Sequence, residues 1–260
     1  MTTSRVPLRT DDPTRARDLV RQHGAAILTG QGTSPEDAVA TAIAVFVDEV
    51  LAVPPPSEVR IGGDRDRRLP QIDQSTPLSV HTDGFAYGEL YPDFFLLCCA
   101  QDSPVGGESF LVDGHSVIAN LARSSGDADI LQRLQQVAVD QTEPGMQPSL
   151  TPVIGRTTGG RLMLRRFPYQ RPAADSAHPA DDQAMLDRWH AAVEAAADEA
   201  PRFRLRPGDV AVIDNYRMLH GREAYVDMNR LMWRVWVWTT SAFGVPAGQL
   251  HSDSRYAATG

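Results

Sequence analysis

Residues 208–222 read GDVAVIDNYRMLHGR, an apolar run that continues into a polar segment carrying His220. Short apolar runs bounded by glycine, proline and other turn residues are typical of buried β-strands. The pattern therefore predicts a strand over residues 209–213, followed by a polar turn that holds His220. A second apolar run, Leu231–Thr239, predicts another strand shortly afterwards. We expect this part of the chain to be mainly β-structure.

The same criteria, applied outward from this region, divide the rest of the chain into strands and helices. Further strands are predicted over residues 25–29, 94–100, 109–112, 161–167 and 203–206. Helices are predicted over residues 115–123, 129–137 and 184–200, and two more begin at the cap signals Asp12-Pro13 and Ser34-Pro35. The second of these should run to about residue 53, and residues 54–79 should form a long loop.

Strands interrupted by a few helices suit a double-sheet barrel with helices packed outside it. The predicted fold class is therefore mainly β with flanking helices (α+β). Nothing in the sequence marks a boundary between domains. We expect residues 1–260 to form a single domain, with the N-terminal helices of residues 12–53 outside the barrel.

Composition excludes several classes of protein. The formal net charge of −8 argues against a nucleic-acid-binding surface, since phosphate binding needs clustered Lys and Arg. The chain has no apolar run of the roughly 18 residues that a membrane span needs, and its first residues lack the apolar core of a secretory signal. Cys98 and Cys99 are adjacent within an apolar run and should be core residues, as expected of a cytoplasmic protein.

A candidate metal site begins with His81-Thr82-Asp83. Residues i and i+2 of a strand point to the same face, so the His81 imidazole and the Asp83 carboxylate should lie side by side. With His220 as a third ligand, these residues would form a 2-His-1-carboxylate triad, which leaves open positions on Fe(II) for a cosubstrate and O2. The sequence thus predicts a non-haem iron site.

Two arginines, Arg230 and Arg234, follow His220 and are four residues apart. In a strand they would share one face and enter the same cavity. A buried guanidinium needs an anionic partner, and its planar shape suits a carboxylate. Two such groups beside a metal indicate a dianionic ligand or two carboxylates. 2-Oxoglutarate, which carries a chelating 2-oxo acid and a distal carboxylate, meets both requirements.

Three blocks of sequence resemble the taurine dioxygenase / clavaminate synthase-like superfamily of Fe(II)- and 2-oxoglutarate-dependent oxygenases, with some similarity to carbapenem synthase. They are residues 81–84 (HTDG), residues 106–110 (GGESF) and residues 208–222 with Arg230 and Arg234, within a resemblance that spans about residues 15–240. The resemblance implies a double-stranded β-helix (jelly roll). It also implies an enzyme that couples decarboxylation of 2-oxoglutarate, with O2, to oxidation of an unactivated C–H bond.

When the residues of these blocks are matched by position, the resemblance implies roles for individual residues. His81, Asp83 and His220 correspond to the iron ligands. Arg230 corresponds to the arginine that binds the distal carboxylate of 2-oxoglutarate, and Ser109 takes the place of a threonine that gives this carboxylate a hydroxyl hydrogen bond. Arg234 corresponds to an arginine that contacts the cosubstrate or an anionic substrate in relatives.

The substrate is predicted to be a small, amino-acid-derived carboxylate in natural-product biosynthesis. The reaction should be hydroxylation, desaturation or cyclisation, because halogenases of this type have a small residue in place of Asp83. Phe85, Tyr87, Arg165 and Arg234 are candidate substrate residues, although aromatic packing and a solvated Arg165-Arg166 pair are alternative interpretations. Two other functions remain open: a catabolic oxygenase acting on a sulfonate or aryloxy acid, and a cupin-like binding protein without turnover.

Overall fold

The computed structural model describes residues 5–63, 75–123, 129–143 and 148–254. Its helices are α1 (Pro13–His23), α2 (Pro35–Phe46), α3 (Gly114–Arg123), α4 (Ile130–Gln136) and α5 (Pro179–Glu199), with 3-10 helices over Val47–Glu49 and Phe85–Leu90. Its strands are β1 (Leu8–Thr10), β2 (Ala25–Leu28), β3 (Val50–Ala52), β4 (Ser57–Val59), β5 (Leu78–His81), β6 (Phe94–Gln101), β7 (Ser109–Asp113), β8 (Val139–Asp140), β9 (Leu150–Thr151), β10 (Ile154–Arg156), β11 (Leu162–Leu164), β12 (Arg171–Pro172), β13 (Val210–Asp214), β14 (Met218–Arg222) and β15 (Leu231–Thr239). The predicted class, mainly β with flanking helices, is confirmed.

Two sheets position the functional residues. The larger has the strand order β1-β2-β13-β6-β15-β3, and β4 also pairs with β15. Its pairs are antiparallel apart from the parallel pair β1-β2. The smaller is an antiparallel sheet with the order β5-β14-β7. Because successive side chains of a strand point to opposite faces, each sheet has an inner and an outer surface.

Three groups of buried side chains define the layers of the fold. The outer face of the larger sheet packs against α1 and α2, through residues such as Leu96, Val212, Val235, Leu19 and Phe46. The outer face of the smaller sheet packs against α5, through residues such as Val112, Leu219, Leu186 and Trp189. The inner faces meet in a third cluster that includes Phe95, Leu111, Ile213 and Trp236. The two sheets therefore face each other, with helices on both outer sides.

Adjacent residues of β6 illustrate the alternation between these layers. Cys98 belongs to the cluster shared with α1 and α2, whereas Cys99 lies in the cluster between the sheets. Both are free and buried, and burial raises the pKa of each thiol to about 12. Their predicted place in the core is confirmed. Among the described residues, no helix combines the length and apolar character that a membrane crossing requires.

The cap signals correctly predicted where α1 and α2 begin, but the predicted end of α2 is wrong. Asp12 caps α1, which ends at Gly24 in the left-handed conformation, and Ser34 and Asp37 form the capping box of α2. The prediction that α2 continues to about residue 53 is wrong. Helix α2 ends at Phe46, and β3 then pairs with the edge of β15. Pairing with an available sheet edge has overridden a local pattern that contains no helix breaker.

Other boundaries differ because long-range pairing selects the strands. The predicted loop over residues 54–79 contains β4 and the start of β5, and its residues 64–74 lie outside the described part of the chain. Residues 203–206 do not form a strand; Phe203 makes an isolated bridge to Ser109. His220 lies within β14 and not in a turn. Strand β11 is shorter than predicted and α5 begins earlier, at Pro179. That residues 1–260 form one domain stays a prediction.

Candidate active site

The smaller sheet brings the two candidate histidines together. His81 is the last residue of β5, His220 lies in β14, and the two are direct partners in the antiparallel register. Their ring centroids are 4.2 Å apart. The Nε2 atom of His81 lies 3.6 Å from Oδ1 of Asp83, and candidate ligand atoms of all three residues lie within 4.8 Å of one another. Two imidazoles and one carboxylate at this spacing suit a divalent transition metal.

The prediction that Asp83 lies in a strand with His81 is wrong, because Asp83 reaches this position from a turn. Strand β5 ends at His81, and the side-chain amide of Asn215 fixes the backbone of Asp83 from both sides. The Asp83 N–H donates to Asn215 Oδ1 at 2.9 Å, and Asn215 Nδ2 donates to the Asp83 carbonyl at 3.0 Å. Gly84 has φ +94°, and a Cβ there would lie 2.4 Å from Cδ of Pro92. Only glycine allows this turn.

Hydrogen bonding and burial prepare both imidazoles to bind a metal. His81 Nδ1 lies 2.9 Å from the Ser79 carbonyl oxygen, which can only accept, so Nδ1 carries the proton and the Nε2 lone pair faces the site. His220 is partly buried, and burial together with the neighbouring His81 lowers its pKa to about 3. A neutral imidazole is the form that coordinates a metal.

The Asp83 carboxylate is held in its charged form. Trp236 Nε1 donates to Oδ2 at 2.9 Å, and Arg234 Nη1 lies 3.2 Å from both carboxylate oxygens. Burial alone would raise the pKa of Asp83, but the Arg234 guanidinium holds it well below its usual range. An ionised carboxylate is the required ligand form.

A small cavity of about 50 Å³ extends from the two histidines between the sheets. Ser109, Arg222, Arg230 and Arg234 line it together with apolar residues that include Leu97, Leu111 and Ile213. Arg230 is only 1% exposed, and its Nη1 has no hydrogen-bond partner among the described residues. Its guanidinium lies over the Tyr225 ring, 4.5 Å from the centroid. Because a buried charge without a partner is costly, this donor fits an anion that enters the cavity.

The two predicted arginines both face the cavity but differ in their partners. Arg234 pairs with Asp83, with Asp253 at 3.1 Å (Nη2 to Oδ2) and with the Ser252 carbonyl oxygen at 3.0 Å. Within the described part of the chain, no carboxylate lies at ion-pair distance from Arg230. Every nitrogen of Arg234 thus has at least one acceptor, whereas Nη1 of Arg230 has none among the described residues.

A family model described as "Taurine catabolism dioxygenase TauD, TfdA family" matches residues 3–236, most of the chain. This chain belongs to that family. The relationship that the three sequence blocks predicted, to Fe(II)- and 2-oxoglutarate-dependent dioxygenases, is confirmed.

Individual relatives are distant. The chain is 29% identical to the gamma-butyrobetaine dioxygenase of Homo sapiens over 162 residues, which cover 57% of this chain and 40% of that protein. It thus spans about two fifths of that relative's length. It is 27% identical over 240 residues to a uridine-5'-phosphate dioxygenase of Amycolatopsis sp, with 84% of each chain covered. A solved structure of asparagine oxygenase with Fe(II), 2S,3S-3-hydroxyasparagine and succinate superposes with a TM-score of 0.63 at 17% identity, over 90% of this chain and 84% of that one.

Three candidate substrate residues of this TauD/TfdA family member lie away from the cavity. Phe85 packs against Phe167 with ring centroids 5.2 Å apart. Tyr87 lies edge-on to Trp236, and its hydroxyl bonds to the backbone of His251. Arg165 is buried with its guanidinium 5.1 Å from the Tyr91 ring centroid. Their roles in substrate binding stay predictions.

The alternative interpretation of Arg165 and Arg166 as a solvated pair is wrong, because both are almost fully buried. Arg165 donates to the Pro152 carbonyl oxygen, and Arg166 pairs with Glu194 of α5. Both guanidiniums thus serve to hold neighbouring segments together.

Sequence reasoning missed three residues around the carboxylate ligand. Asn215 was visible only as part of the block that precedes His220, and nothing local shows that its side chain reaches Asp83. Trp236 lies in the apolar run of β15, and nothing in that run shows that its indole N–H bonds to Asp83. Asp253 lies in the C-terminal segment, where no motif indicates a contact with Arg234.

Proposed function

We propose that this protein is an Fe(II)- and 2-oxoglutarate-dependent dioxygenase that oxidises a C–H bond of a small, amino-acid-derived carboxylate. One observation carries this proposal: the His81, Asp83 and His220 cluster shares its cavity with a buried arginine, Arg230, whose Nη1 has no partner among the described residues. A metal site beside an unused guanidinium suits a metal-chelating 2-oxo acid with a distal carboxylate. We further propose that the two facing sheets form a double-stranded β-helix.

The residues of the chain fit this pair of ligands. His81 and His220 would bind iron through neutral imidazoles and Asp83 through its carboxylate. Arg230, with the Ser109 hydroxyl, would hold the distal carboxylate of 2-oxoglutarate. The apolar lining excludes water and strengthens the attraction between the guanidinium and that carboxylate. When bound together with O2, iron and 2-oxoglutarate supply the oxidising chemistry, and succinate and CO2 are released.

Asp83 restricts the type of oxidation. Its carboxylate is ionised, fixed by Asn215 through the backbone and bonded to Trp236, and it would bind iron where a halogenase leaves room for chloride. Hydroxylation, desaturation or cyclisation is therefore the proposed outcome.

An amino-acid-derived substrate is supported by the structural likeness to asparagine oxygenase, whose complex holds a hydroxylated asparagine. A place in natural-product biosynthesis is part of the same proposal. A second candidate is a nucleoside 5'-phosphate, because the uridine-5'-phosphate dioxygenase matches 84% of both chains. A sulfonate is the third class to test, since the family description names taurine catabolism.

Succinate release separates these candidates. The purified protein is incubated with Fe(II), 2-oxoglutarate and O2, alone and with L-asparagine, L-arginine, uridine 5'-phosphate or taurine. We expect an amino acid to raise succinate release above the substrate-free rate and to yield an oxidised product by mass spectrometry. Stimulation by uridine 5'-phosphate or taurine alone would replace the proposed substrate class. No succinate under any condition, from protein that binds the metal, would favour a cupin-like binding protein.

A substitution at Gly107 tests whether Arg230 holds the distal carboxylate of 2-oxoglutarate, without replacing Arg230 itself. Its φ is +76°, and a Cβ there would lie 3.0 Å from Arg230 Nε. We expect Gly107→Ala to displace the guanidinium and raise the KM for 2-oxoglutarate about tenfold, the effect of losing roughly one hydrogen bond to a charged group. The matched control is Gly160→Ala, with φ +81° and no atom within 4 Å of the new Cβ. It carries the same backbone strain, so an equal rise in KM there would argue against a specific contact.

A further inference from the structure

The C-terminal segment, residues 251–254, contacts Arg234, which lines the cavity beside the candidate metal site. Ser252 and Asp253 are each only 1% exposed. The segment is attached to three separate elements. The His251 N–H donates to the Tyr87 hydroxyl at 2.9 Å, the Trp236 N–H donates to Ser252 Oγ at 3.1 Å, and Ser57 Oγ donates to the Ser252 carbonyl oxygen at 2.9 Å. These bonds fix the segment beside β15, the start of β4 and the 3-10 helix that carries Tyr87.

Three charged groups in contact with one another connect this segment to the candidate metal site. Asp253 Oδ2 lies 3.1 Å from Arg234 Nη2, and Arg234 Nη1 lies 3.2 Å from both carboxylate oxygens of Asp83. The third nitrogen of the same guanidinium, Nε, donates to the Ser252 carbonyl oxygen. All three nitrogens of Arg234 therefore have acceptors, and two of those acceptors belong to the C-terminal segment.

The charge of Asp253 is what makes this arrangement compatible with a metal. Arg234 is a buried cation in contact with a carboxylate that is to bind a divalent metal. Without a second anion, it would draw electron density from Asp83 and repel the metal, and the low local dielectric would strengthen both effects. Asp253 neutralises Arg234 while keeping its donors directed at Asp83. Trp236 Nε1, a neutral donor, holds the carboxylate from another direction.

We infer that Asp253 is a positioning residue of the metal site: it fixes and neutralises Arg234, which with Trp236 orients the Asp83 carboxylate toward the metal. This assigns Arg234 to the support of the metal ligand and leaves Arg230 as the arginine for an incoming carboxylate. This inference rests on the proposed function, because it assumes that Asp83 is a metal ligand. It concerns a residue outside the three blocks that identify the family.

The test measures metal affinity and needs neither substrate nor turnover. Mn(II), a redox-stable substitute for Fe(II), is titrated into the metal-free protein, and free Mn(II) is followed by electron paramagnetic resonance. We expect Asp253→Asn to weaken Mn(II) binding by about 10–100-fold, the usual effect of removing an outer partner of a metal ligand. Asp253→Glu, which restores the charge, should recover much of the affinity.

Two controls separate positioning from a general structural effect. Asp48→Asn removes one carboxylate at an exposed position in the 3-10 helix after α2, and Ser254→Ala alters the same C-terminal segment next to Asp253. Both should bind Mn(II) like the wild type. Equal weakening by Ser254→Ala would overturn the specific role of the Asp253 charge.

If Asp253→Asn does not fold, the double variant Arg234→Met/Asp253→Met replaces it. Removing both members of a buried ion pair leaves no isolated charge, so this variant should be folded. It should bind Mn(II) more weakly than the wild type, because the donor that orients Asp83 is lost, but less weakly than Asp253→Asn, because no unneutralised cation remains beside the metal. If either variant is folded and binds Mn(II) with wild-type affinity, the inference is refuted and the proposed function is left intact. Failure of the wild type to bind Mn(II) would refute both.

Discussion

His81→Ala is expected to reduce 2-oxoglutarate-dependent succinate release by more than about 100-fold and to abolish tight Mn(II) binding. Loss of an outer partner of a metal ligand typically costs about 10–100-fold, so loss of a ligand should exceed that range. The Nε2 atom of His81 faces Asp83 in a cluster of three candidate ligands, and removing one leaves only two. The measurement is a succinate assay at saturating 2-oxoglutarate, beside an Mn(II) titration.

The matched control is His178→Ala, which removes an exposed imidazole at the start of α5. It should retain wild-type succinate release and Mn(II) affinity. His81→Ala protein that still bound the metal tightly and released succinate would show that the iron site lies elsewhere.

Arg230→Met should weaken 2-oxoglutarate binding by about 10–100-fold, because a hydrogen-bonded ion pair with a charged group contributes about 1.5–3 kcal/mol. The same substitution should leave the Tm of the ligand-free protein unchanged or higher. Arg230 is buried with an unpartnered Nη1, and methionine fills similar space without that cost. Thermal unfolding with and without Mn(II) and 2-oxoglutarate measures both effects.

The two halves of this prediction distinguish a binding residue from a structural one. At the same concentration, 2-oxoglutarate should raise the Tm of the metal-loaded wild type more than that of Arg230→Met, since stabilisation by a ligand falls as its affinity falls. Arg156→Met, at an exposed position of β10, should behave like the wild type. A large fall in Tm for ligand-free Arg230→Met, with unchanged affinity for 2-oxoglutarate, would assign Arg230 to the core instead.

Local spacing predicted which candidate residues the structure brings together where that spacing reflects β-geometry. Arg230 and Arg234, four residues apart, do face one cavity, as the alternation of a strand requires. The histidines also meet, although from paired strands of a sheet whose register no local pattern reveals. His81 and Asp83 are neighbours for a different reason than predicted, since a turn clamped by Asn215 brings the carboxylate back.

What the sequence did not show depends on contacts between distant segments. The contact of Asp253 with Arg234 joins positions 19 residues apart in sequence, through a segment without any motif. Arg230 and Arg234 differ in their hydrogen-bond partners for the same reason, because the C-terminal segment provides two partners for Arg234. The end of α2 was missed for a related reason: the chain leaves the helix to pair with β15, a strand almost 180 residues later.

The central claim, that one site binds both a metal and 2-oxoglutarate, is tested most directly by anaerobic absorption spectroscopy. Fe(II) and 2-oxoglutarate are added separately and together to wild type, His81→Ala and Arg230→Met. We expect a weak metal-to-ligand charge-transfer band in the visible for the wild type with both additions. We expect no band for His81→Ala, and for Arg230→Met a band that requires about 10–100-fold more 2-oxoglutarate. Folded, iron-loaded wild type without this band would contradict the assignment.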